Sequence, residues 1–183
     1  MTIAKLGTLV MITGMRIAAC MHTLPLLRHA SRASCGSLKL CIRPDPDEIL
    51  QRVSPVSIAY LGDAVWEQEV RERMLWPPSK LDTLSSRVQS VCCAEGQHQV
   101  LNLLLEDFDL TAGELEWIRR GRNASGRGPR RLNPKVYRAS TSLETLVGVL
   151  HLTDSRRLAE LFHYVFSHAV DANGIITSSP EAD

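Results

Sequence analysis

The sequence predicts an all-α domain, and three observations lead to that class. Apolar residues recur at spacings of three and four, which is the period of a helix that is buried on one side. No segment alternates apolar and polar residues as a half-buried strand would. Aromatic residues make up only 5% of the 183 residues, so we expect a core of leucine, valine and alanine packed between helices.

The first 44 residues differ in charge from the rest of the chain. They contain six Lys or Arg and no acidic residue, whereas all 20 Asp and Glu lie from Asp45 onward. Such a segment resembles an organelle transit peptide, and an extension from a misassigned start codon or a disordered arm explains it as well. We therefore divide the chain into an N-terminal extension (1–44), a folded body (45–170) and a polar tail (171–183).

The first helix of the body is predicted from Pro55 to about Leu75. Ser54 supplies a capping hydroxyl, and proline is favoured at the first helical position after a cap. The apolar row of this helix comprises Ile58, Leu61 and Val65. Pro77 and Pro78 end the helix, because proline has no N–H to continue the hydrogen bonding.

Two further helices and a loop are predicted in the middle of the chain. One helix begins at Ser79 and is expected to continue to Leu105. The next begins at Thr111, which forms a capping-box pattern with Glu114, and is expected to end near Gly121. Three glycines and two prolines in residues 121–135 then predict a loop.

The last two helices complete the predicted bundle. The first of them begins between Ser140 and Ser142 and ends near His151, and the second begins at Asp154. The buried stripe of the final helix comprises Leu158, Leu161, Phe162 and Val165. No apolar run reaches the roughly 18 residues that a membrane span needs, so we expect no association with a membrane.

Asp63 is the first candidate functional residue, because it lies inside a strongly apolar helix. Gly62 before it costs about 1 kcal/mol relative to alanine. A partly buried carboxylate is unfavourable unless it is paired or binds a cation. Two explanations stay open: Asp63 is a structural residue that accepts hydrogen bonds or pairs with an arginine such as Arg71 or Arg73, or it belongs to a functional site.

Glu144 is the second candidate, and its pattern alone favours a structural role. It lies three residues after Thr141 near a predicted helix start, which matches a capping box. Glu67, one turn after Asp63, is a further carboxylate that either joins these residues or is simply solvated.

Residues 117–143 form a basic segment with eight Arg or Lys and no acidic residue. The planar guanidinium of arginine matches phosphate in a bidentate manner, and glycine lets a loop follow a nucleic-acid backbone closely. The candidate nucleic-acid ligands are Arg119, Arg120, Arg122, Asn123, Arg127, Arg130, Arg131 and Lys135. A solvated loop that balances the acidic body is the alternative, and a nucleic-acid partner is the better supported of the two.

Three segments resemble the ribonuclease III catalytic domain, and most closely its short bacterial and plastid form, Mini-ribonuclease III. The three are Tyr60-Leu61-Gly62-Asp63-Ala64-Val65, Arg120-Gly121-Arg122-Asn123-Ala124 and Ser142-Leu143-Glu144-Thr145-Leu146-Val147-Gly148. Their order and spacing agree with that family across roughly residues 48–168.

The resemblance implies a dimeric helical endonuclease that cleaves double-stranded RNA with Mg²⁺, for which Mn²⁺ substitutes. Asp63 then falls on the catalytic, metal-binding aspartate and Glu144 on the metal-binding glutamate. Full-length ribonuclease III carries two further carboxylates, at positions that Ala59 and Thr141 occupy here, and the short form shows the same kind of loss. The implied products carry a 5′-phosphate and a 3′-hydroxyl.

The resemblance also implies a substrate and a compartment. The substrate is a large-subunit (23S-type) ribosomal RNA precursor trimmed at its ends, with a ribosomal protein as a helper in recognition. Only 14 residues follow Ala169, too few for a separate double-stranded-RNA-binding domain, so we expect the basic segment to supply the affinity for RNA. The expected compartment is the bacterial cytoplasm, or the chloroplast stroma if residues 1–44 are a transit peptide. A non-catalytic RNA-binding scaffold and a protein-interaction domain are the alternative functions.

Overall fold

The computed structural model describes residues 44–176. The chain divides into two units, Met1–Ile42 and Arg43–Asp183, and the described residues belong to the second. The predictions for the N-terminal extension, and those for the last seven residues of the tail, lie outside the described residues.

Within residues 44–176 the fold is all-α, as the sequence predicts. The helices are α1 (Pro46–Arg52), α2 (Pro55–Met74), α3 (Leu81–Cys92), α4 (Ala94–Asp107), α5 (Ala112–Ala124), α6 (Pro134–Thr153) and α7 (Ser155–Tyr164), and one π-helical turn (Val165–Ala169) follows α7. Strand-like pairing in this part of the chain is limited to one isolated bridge between Val170 and Ile176. None of its helices has the length and apolar character needed to cross a membrane.

Three helix starts follow the capping signals read from the sequence. Ser54 Oγ accepts a hydrogen bond from the backbone N–H of Ser57 at 3.2 Å and caps α2. Thr111 and Glu114 form both halves of the capping box of α5. Asp154 caps α7 through its carboxylate. At these three positions, local side-chain chemistry decides where the helix begins.

The predicted second helix is two helices, α3 and α4. Cys93 has an extended backbone (φ −69°, ψ 158°), which ends α3, and its Sγ accepts a hydrogen bond from the N–H of Gly96 at the start of α4. Ser79 does not cap α3, which begins after Lys80 without a side-chain cap. The Ser79 hydroxyl instead accepts a hydrogen bond of 2.6 Å from Arg87.

The boundaries of α5 and α6 also differ from the prediction. Because α5 continues beyond Gly121 to Ala124 and α6 begins at Pro134, the predicted loop is reduced to residues 125–133. Thr141 therefore lies inside α6, where its hydroxyl donates to the carbonyl of Tyr137 at 3.1 Å. The capping box predicted for Thr141 and Glu144 is wrong, and Glu144 needs another explanation.

The first residues of the predicted polar tail are attached to the bundle. Arg87, only 8% exposed, donates to the carbonyl of Ala172 and to the carbonyl of Met74, each at 3.0 Å. Asp171 accepts hydrogen bonds from the backbone N–H groups of Asn173 and Ile175, both at 2.8 Å. One buried guanidinium thus joins residues 171–176 to the end of α2.

The core lies where α2 and α6 cross, with α4, α5 and α7 packed around them. Its largest fully buried side chains are Trp66, Phe162, Ile58, Leu104, Leu143, Leu146 and Leu161. The rings of Trp66 and Phe162 stack with their centroids 5.5 Å apart. Leucine and valine supply most of the remaining core, as the low aromatic content predicts.

Two glycines allow the backbones of α2 and α6 to touch. A Cβ atom on Gly62 would lie 1.8 Å from the carbonyl oxygen of Glu144, and one on Gly148 would lie 2.4 Å from the carbonyl oxygen of Ile58. Any side chain at these positions would push the helices apart. This close approach explains why α2 contains a glycine at a place where glycine is otherwise unfavourable.

We expect Gly62→Ala to destabilise the protein by about 3 kcal/mol or more, because the added methyl group meets backbone that cannot turn aside. Gly113→Ala is the matched control: its Cβ would have only one neighbouring atom, 4.0 Å away, so a gain of up to about 1 kcal/mol is expected. Urea denaturation of both variants measures the difference. Equal stabilities would contradict the close crossing.

An ion pair joins α5 to α7. The carboxylate of Glu114 lies 2.7 Å from the guanidinium of Arg157, and the two side chains are 7% and 21% exposed. Burial by itself raises the pKa of Glu114, but hydrogen bonds from Arg157 and Thr111 outweigh it and hold the pKa below its ordinary value of 4.5. The ionised carboxylate is therefore the form that the fold stabilises.

Glu114→Gln should lower the free energy of unfolding at pH 7 by roughly 2 kcal/mol, since it removes the closer and more buried of the two carboxylates that pair with Arg157 and leaves only Glu160, at 3.4 Å. Folding lowers the pKa of Glu114. The extra stability of the wild type over Glu114→Gln is therefore complete above the unfolded-state pKa of 4.5, and it is lost as the pH falls through the lower pKa of the folded state. Denaturation from pH 7 to pH 3 measures this. The control Glu116→Gln removes an exposed pair with Arg119 and should have little effect; a wild-type advantage that stays constant with pH would refute the assignment.

Candidate functional site

Asp63 and Glu144 meet at the crossing of α2 and α6. Asp63 directly follows Gly62, and the carbonyl of Glu144 is the atom that a side chain at Gly62 would strike. The negative charge of Asp63 acts on Glu144 strongly enough to raise its pKa. The structure thus brings together the two carboxylates that the sequence singles out.

The surroundings of this acidic pair favour its neutral forms. Burial first, and then the charge of Asp63, raise the pKa of Glu144 to about 7. Burial and the neighbouring Glu67 raise the pKa of Asp63, and Gln97 and Arg71 partly offset this. Two half-buried carboxylates that repel each other are an arrangement that a bound cation relieves.

Arginine does not neutralise Asp63 in the described part of the chain. Arg71 pairs with Glu67 at 2.9 Å, and Arg73 pairs with Glu69 at 3.2 Å. One of the structural explanations that the sequence left open, an ion pair between Asp63 and one of these arginines, is therefore not realised. Glu67 lies at the border of the pair, where its charge reaches Asp63 while it is itself bound to Arg71.

Gln97 of α4 is a third polar residue at this place, and the sequence-based predictions missed it. Its side chain is almost fully buried, at 2% exposure. The amide nitrogen Nε2 has no hydrogen bond of acceptable geometry among the described residues, yet the amide lies close enough to both carboxylates to lower their pKa values. The sequence does carry a signal: Gln97 opens the apolar stripe that continues with Val100, Leu101 and Leu104.

The donor atoms of the acidic pair suit a magnesium ion. Mg²⁺ prefers oxygen ligands, is commonly held by one or two carboxylates, and keeps several water molecules. Between residues 44 and 176 there is no cluster of three or more His, Cys, Asp or Glu side chains that could hold a metal ion. The pair Asp63 and Glu144 therefore fits a partly hydrated hard cation better than a metal enclosed by protein ligands.

The candidate nucleic-acid ligands lie on two helices and the loop between them. Arg119, Arg120, Arg122 and Asn123 belong to the last two turns of α5, although the sequence placed the last two in a loop. Arg127, Arg130 and Arg131 lie in residues 125–133, and Lys135 opens α6. Local contacts hold two of them, because Arg119 pairs with Glu116 at 2.7 Å and Arg120 stacks on Trp117 at 3.9 Å.

A basic cavity of about 370 Å³ opens between α5 and α6. Its lining comprises Arg119, Arg122, Asn123, Ser125 and Arg138. A smaller cavity of about 120 Å³ is also bordered by Arg122, together with Lys135, Ser142 and His98. Because His98 follows Gln97 and Ser142 precedes Glu144 by two residues, the basic surface begins on the same helices that carry the acidic site.

Comparison with known proteins agrees with this arrangement. A model of the family "Ribonuclease III domain" matches residues 57–155. The chain is 48% identical to the Mini-ribonuclease 3 of Synechocystis sp. over 120 residues, which are 66% of this chain and 82% of the relative. It is 43% identical to the Mini-ribonuclease 3 of Gloeobacter violaceus over 140 residues, which are 75% of this chain and 99% of the relative.

A solved crystal structure of a protein from Fusobacterium nucleatum has the same fold. The TM-score is 0.58 at 24% sequence identity, and the match covers 64% of this chain and 94% of that one. The resemblance predicted from the three sequence segments is confirmed by the family model and by the relatives. The chain therefore belongs to the ribonuclease III domain family, and within it to the Mini-ribonuclease 3 proteins.

Proposed function

We propose that this chain is a magnesium-dependent endoribonuclease that cleaves double-stranded RNA. The observation that carries the proposal is the acidic pair, Asp63 and Glu144, half-buried and mutually repelling at the crossing of α2 and α6. Membership of the ribonuclease III domain family supports RNA as the substrate. The retention of both carboxylates argues against a scaffold without catalytic activity, since a scaffold has no use for a repelling pair.

In the proposed site Asp63 and Glu144 would hold the metal ion, and Mn²⁺ would substitute for Mg²⁺. When bound, the ion lowers the pKa of water in the site and offsets the charge that develops on the phosphate oxygens. Asp63, as the catalytic residue, orients the attacking water toward phosphorus, in line with the departing 3′-oxygen. As the family resemblance implies, attack that expels the 3′-oxygen would leave a 5′-phosphate and a 3′-hydroxyl on the products.

The basic segment is proposed to bind the RNA backbone. The proposed ligands are Arg119, Arg120, Arg122, Asn123, Arg127, Arg130, Arg131 and Lys135, and the lining of the basic cavity adds Arg138. Contacts to phosphates and 2′-hydroxyls read the shape of an A-form duplex more than its sequence. The absence of any acidic residue between positions 117 and 143 supports the assignment of RNA binding to this surface.

The proposal includes a natural substrate and an assembly. The substrate is a precursor of the large-subunit ribosomal RNA, trimmed at its ends, with a ribosomal protein as a helper. A symmetric homodimer would present two sites for the two strands. The compartment is the cytoplasm of a bacterium, or the chloroplast stroma if residues 1–44 are a transit peptide.

We expect Asp63→Asn to abolish cleavage of a plain RNA duplex, with a loss of about 1,000-fold or more, since it removes a charged metal ligand. The fold should be retained, because the substitution relieves repulsion within the acidic pair. Gels of duplex RNA with and without Mg²⁺, together with circular dichroism, measure both effects. The control is Asp107→Asn, an exposed carboxylate at the end of α4. Wild-type cleavage by Asp63→Asn would defeat the proposal, and an inactive wild-type protein that binds duplex RNA would favour the scaffold.

Arg122→Ala and Arg138→Ala should each weaken binding of duplex RNA and reduce the slope of log affinity against log salt by about one. Fluorescence anisotropy in the cleavage-deficient Asp63→Asn background measures binding alone. Arg156→Ala, on the exposed face of α7, is the control and should keep the wild-type slope. If the three variants give the same slope, the basic cavity is not the RNA-binding surface.

A further inference from the structure

We propose that Gly128 and Tyr137 are positioning residues, whose contact holds the α5–α6 loop (residues 125–133) in one shape before RNA binds. The arginines of this loop then meet the RNA backbone as a preformed unit. The inference rests on the function proposed above, and it assigns a role to two residues outside the proposed set of RNA ligands. Three features carry it: the backbone of Gly128, its packing against the Tyr137 ring, and the exposure of the loop arginines.

The backbone of Gly128 has a conformation that favours glycine. Its φ is +69°, in the left-handed region that residues with a Cβ atom rarely adopt. The loop is attached to α5 before this bend, because Ser125 Oγ donates to the carbonyl of Arg122 at 2.7 Å. It is attached to α6 after the bend, because Asn133 Oδ1 accepts from the N–H of Lys135 at 2.9 Å. The bend therefore lies in a segment whose two ends are fixed.

The ring of Tyr137 packs directly on this bend. A Cβ atom on Gly128 would lie 2.6 Å from Cγ of Tyr137 and 2.7 Å from Cδ1, well inside the distance of an ordinary van der Waals contact. Because Cγ is bonded to the Cβ atom of the tyrosine, it moves aside only if the whole ring swings to another rotamer. Both residues are partly buried, so the loop backbone is held against the first turn of α6.

The side chains that this contact presents are the three arginines of the loop. Arg127, Arg130 and Arg131 are all exposed, and none of them forms an ion pair within residues 44–176. Like charges this close along the chain repel one another. A fixed loop keeps the three arginines together in spite of that repulsion, and binding of a phosphate backbone offsets it.

The contact also joins the loop to the basic cavity. Tyr137 directly precedes Arg138, and Ser125 is the first residue of the loop; Arg138 and Ser125 both line that cavity. The loop and the cavity are therefore adjacent. A simple connection between two packed helices does not need a fixed shape, whereas an ordered loop loses less conformational entropy when RNA binds. Preorganisation for binding thus explains the contact better than stability of the bundle does.

Gly128→Ala tests the proposal, because the added Cβ atom meets the Tyr137 ring and disfavours the positive φ. In the cleavage-deficient Asp63→Asn background, fluorescence anisotropy should show binding of duplex RNA weakened by about tenfold or more. The slope of log affinity against log salt should fall by more than the value of about one expected for a single arginine. The melting temperature should change little, since the loop lies outside the hydrophobic core. Gly126→Ala is the matched control: a Cβ atom there meets no atom within 4 Å, so binding should match that of Asp63→Asn alone.

A cycle of variants distinguishes positioning from a structural role. Arg130→Ala should weaken RNA binding clearly when Gly128 is present but only slightly in Gly128→Ala, because a displaced loop no longer places that arginine on the RNA backbone. With Asp63 intact, Gly128→Ala should raise KM for duplex RNA and leave kcat unchanged. Tyr137→Leu, which removes the ring, should reproduce the loss of affinity, and the conservative Tyr137→Phe, which restores the ring, should recover it.

The outcomes separate this inference from the function on which it rests. If Gly128→Ala and Tyr137→Leu both bind duplex RNA as tightly as their parent, the inference is wrong and the nuclease proposal stands. An equal effect of Arg130→Ala with and without Gly128 shows that the contact does not position this arginine, which also overturns the inference. A parent protein that does not bind duplex RNA defeats both proposals. A wild-type protein that binds duplex RNA without cutting it, and loses affinity in Gly128→Ala, defeats the nuclease proposal and supports the inference.

Discussion

The contact between the backbones of α2 and α6 is the constraint on which the rest of the structure depends. Gly62 and Gly148 remove the two side chains that would keep these helices apart. With the backbones touching, the next residue of α2 and the facing residue of α6 bring their carboxylates into one partly buried place. The same approach closes the core around Trp66 and Leu146. Packing and site chemistry therefore share one geometric cause.

Local chemistry made much of the fold predictable, and contacts between helices account for the rest. Ser54, Thr111 and Asp154 satisfy backbone groups within three residues of themselves, so the sequence alone reveals the starts of α2, α5 and α7. The sequence predicts that Gly121 ends α5, but the helix continues to Ala124. A glycine is needed at this position for another reason: a Cβ there would lie 2.3 Å from the Thr145 side chain of α6. A glycine that permits close packing and one that ends a helix look the same in a sequence.

Some residues of the acidic site could be predicted from local sequence patterns, and others could not. Asp63 was recognisable from residue patterns, since a carboxylate inside an apolar helix demands a partner. Glu144 was not, because its spacing from Thr141 imitated a cap, and only the family resemblance assigned it to the site. Gln97 escaped both routes, because a glutamine in an apolar stripe becomes meaningful only when the acidic groups of two other helices are seen beside it.

The continuity of α6 has a consequence for how a duplex would be cut. Arg138 and Glu144 belong to one uninterrupted helix, so about 9 Å of axial rise separates them and no hinge can change it. If the first turns of α6 bind a phosphate of one RNA strand, a fixed distance along the helix separates that phosphate from the carboxylate of Glu144. In the proposed complex, the length of α6 between Arg138 and Glu144 would therefore set the distance from the bound phosphate to the scissile bond.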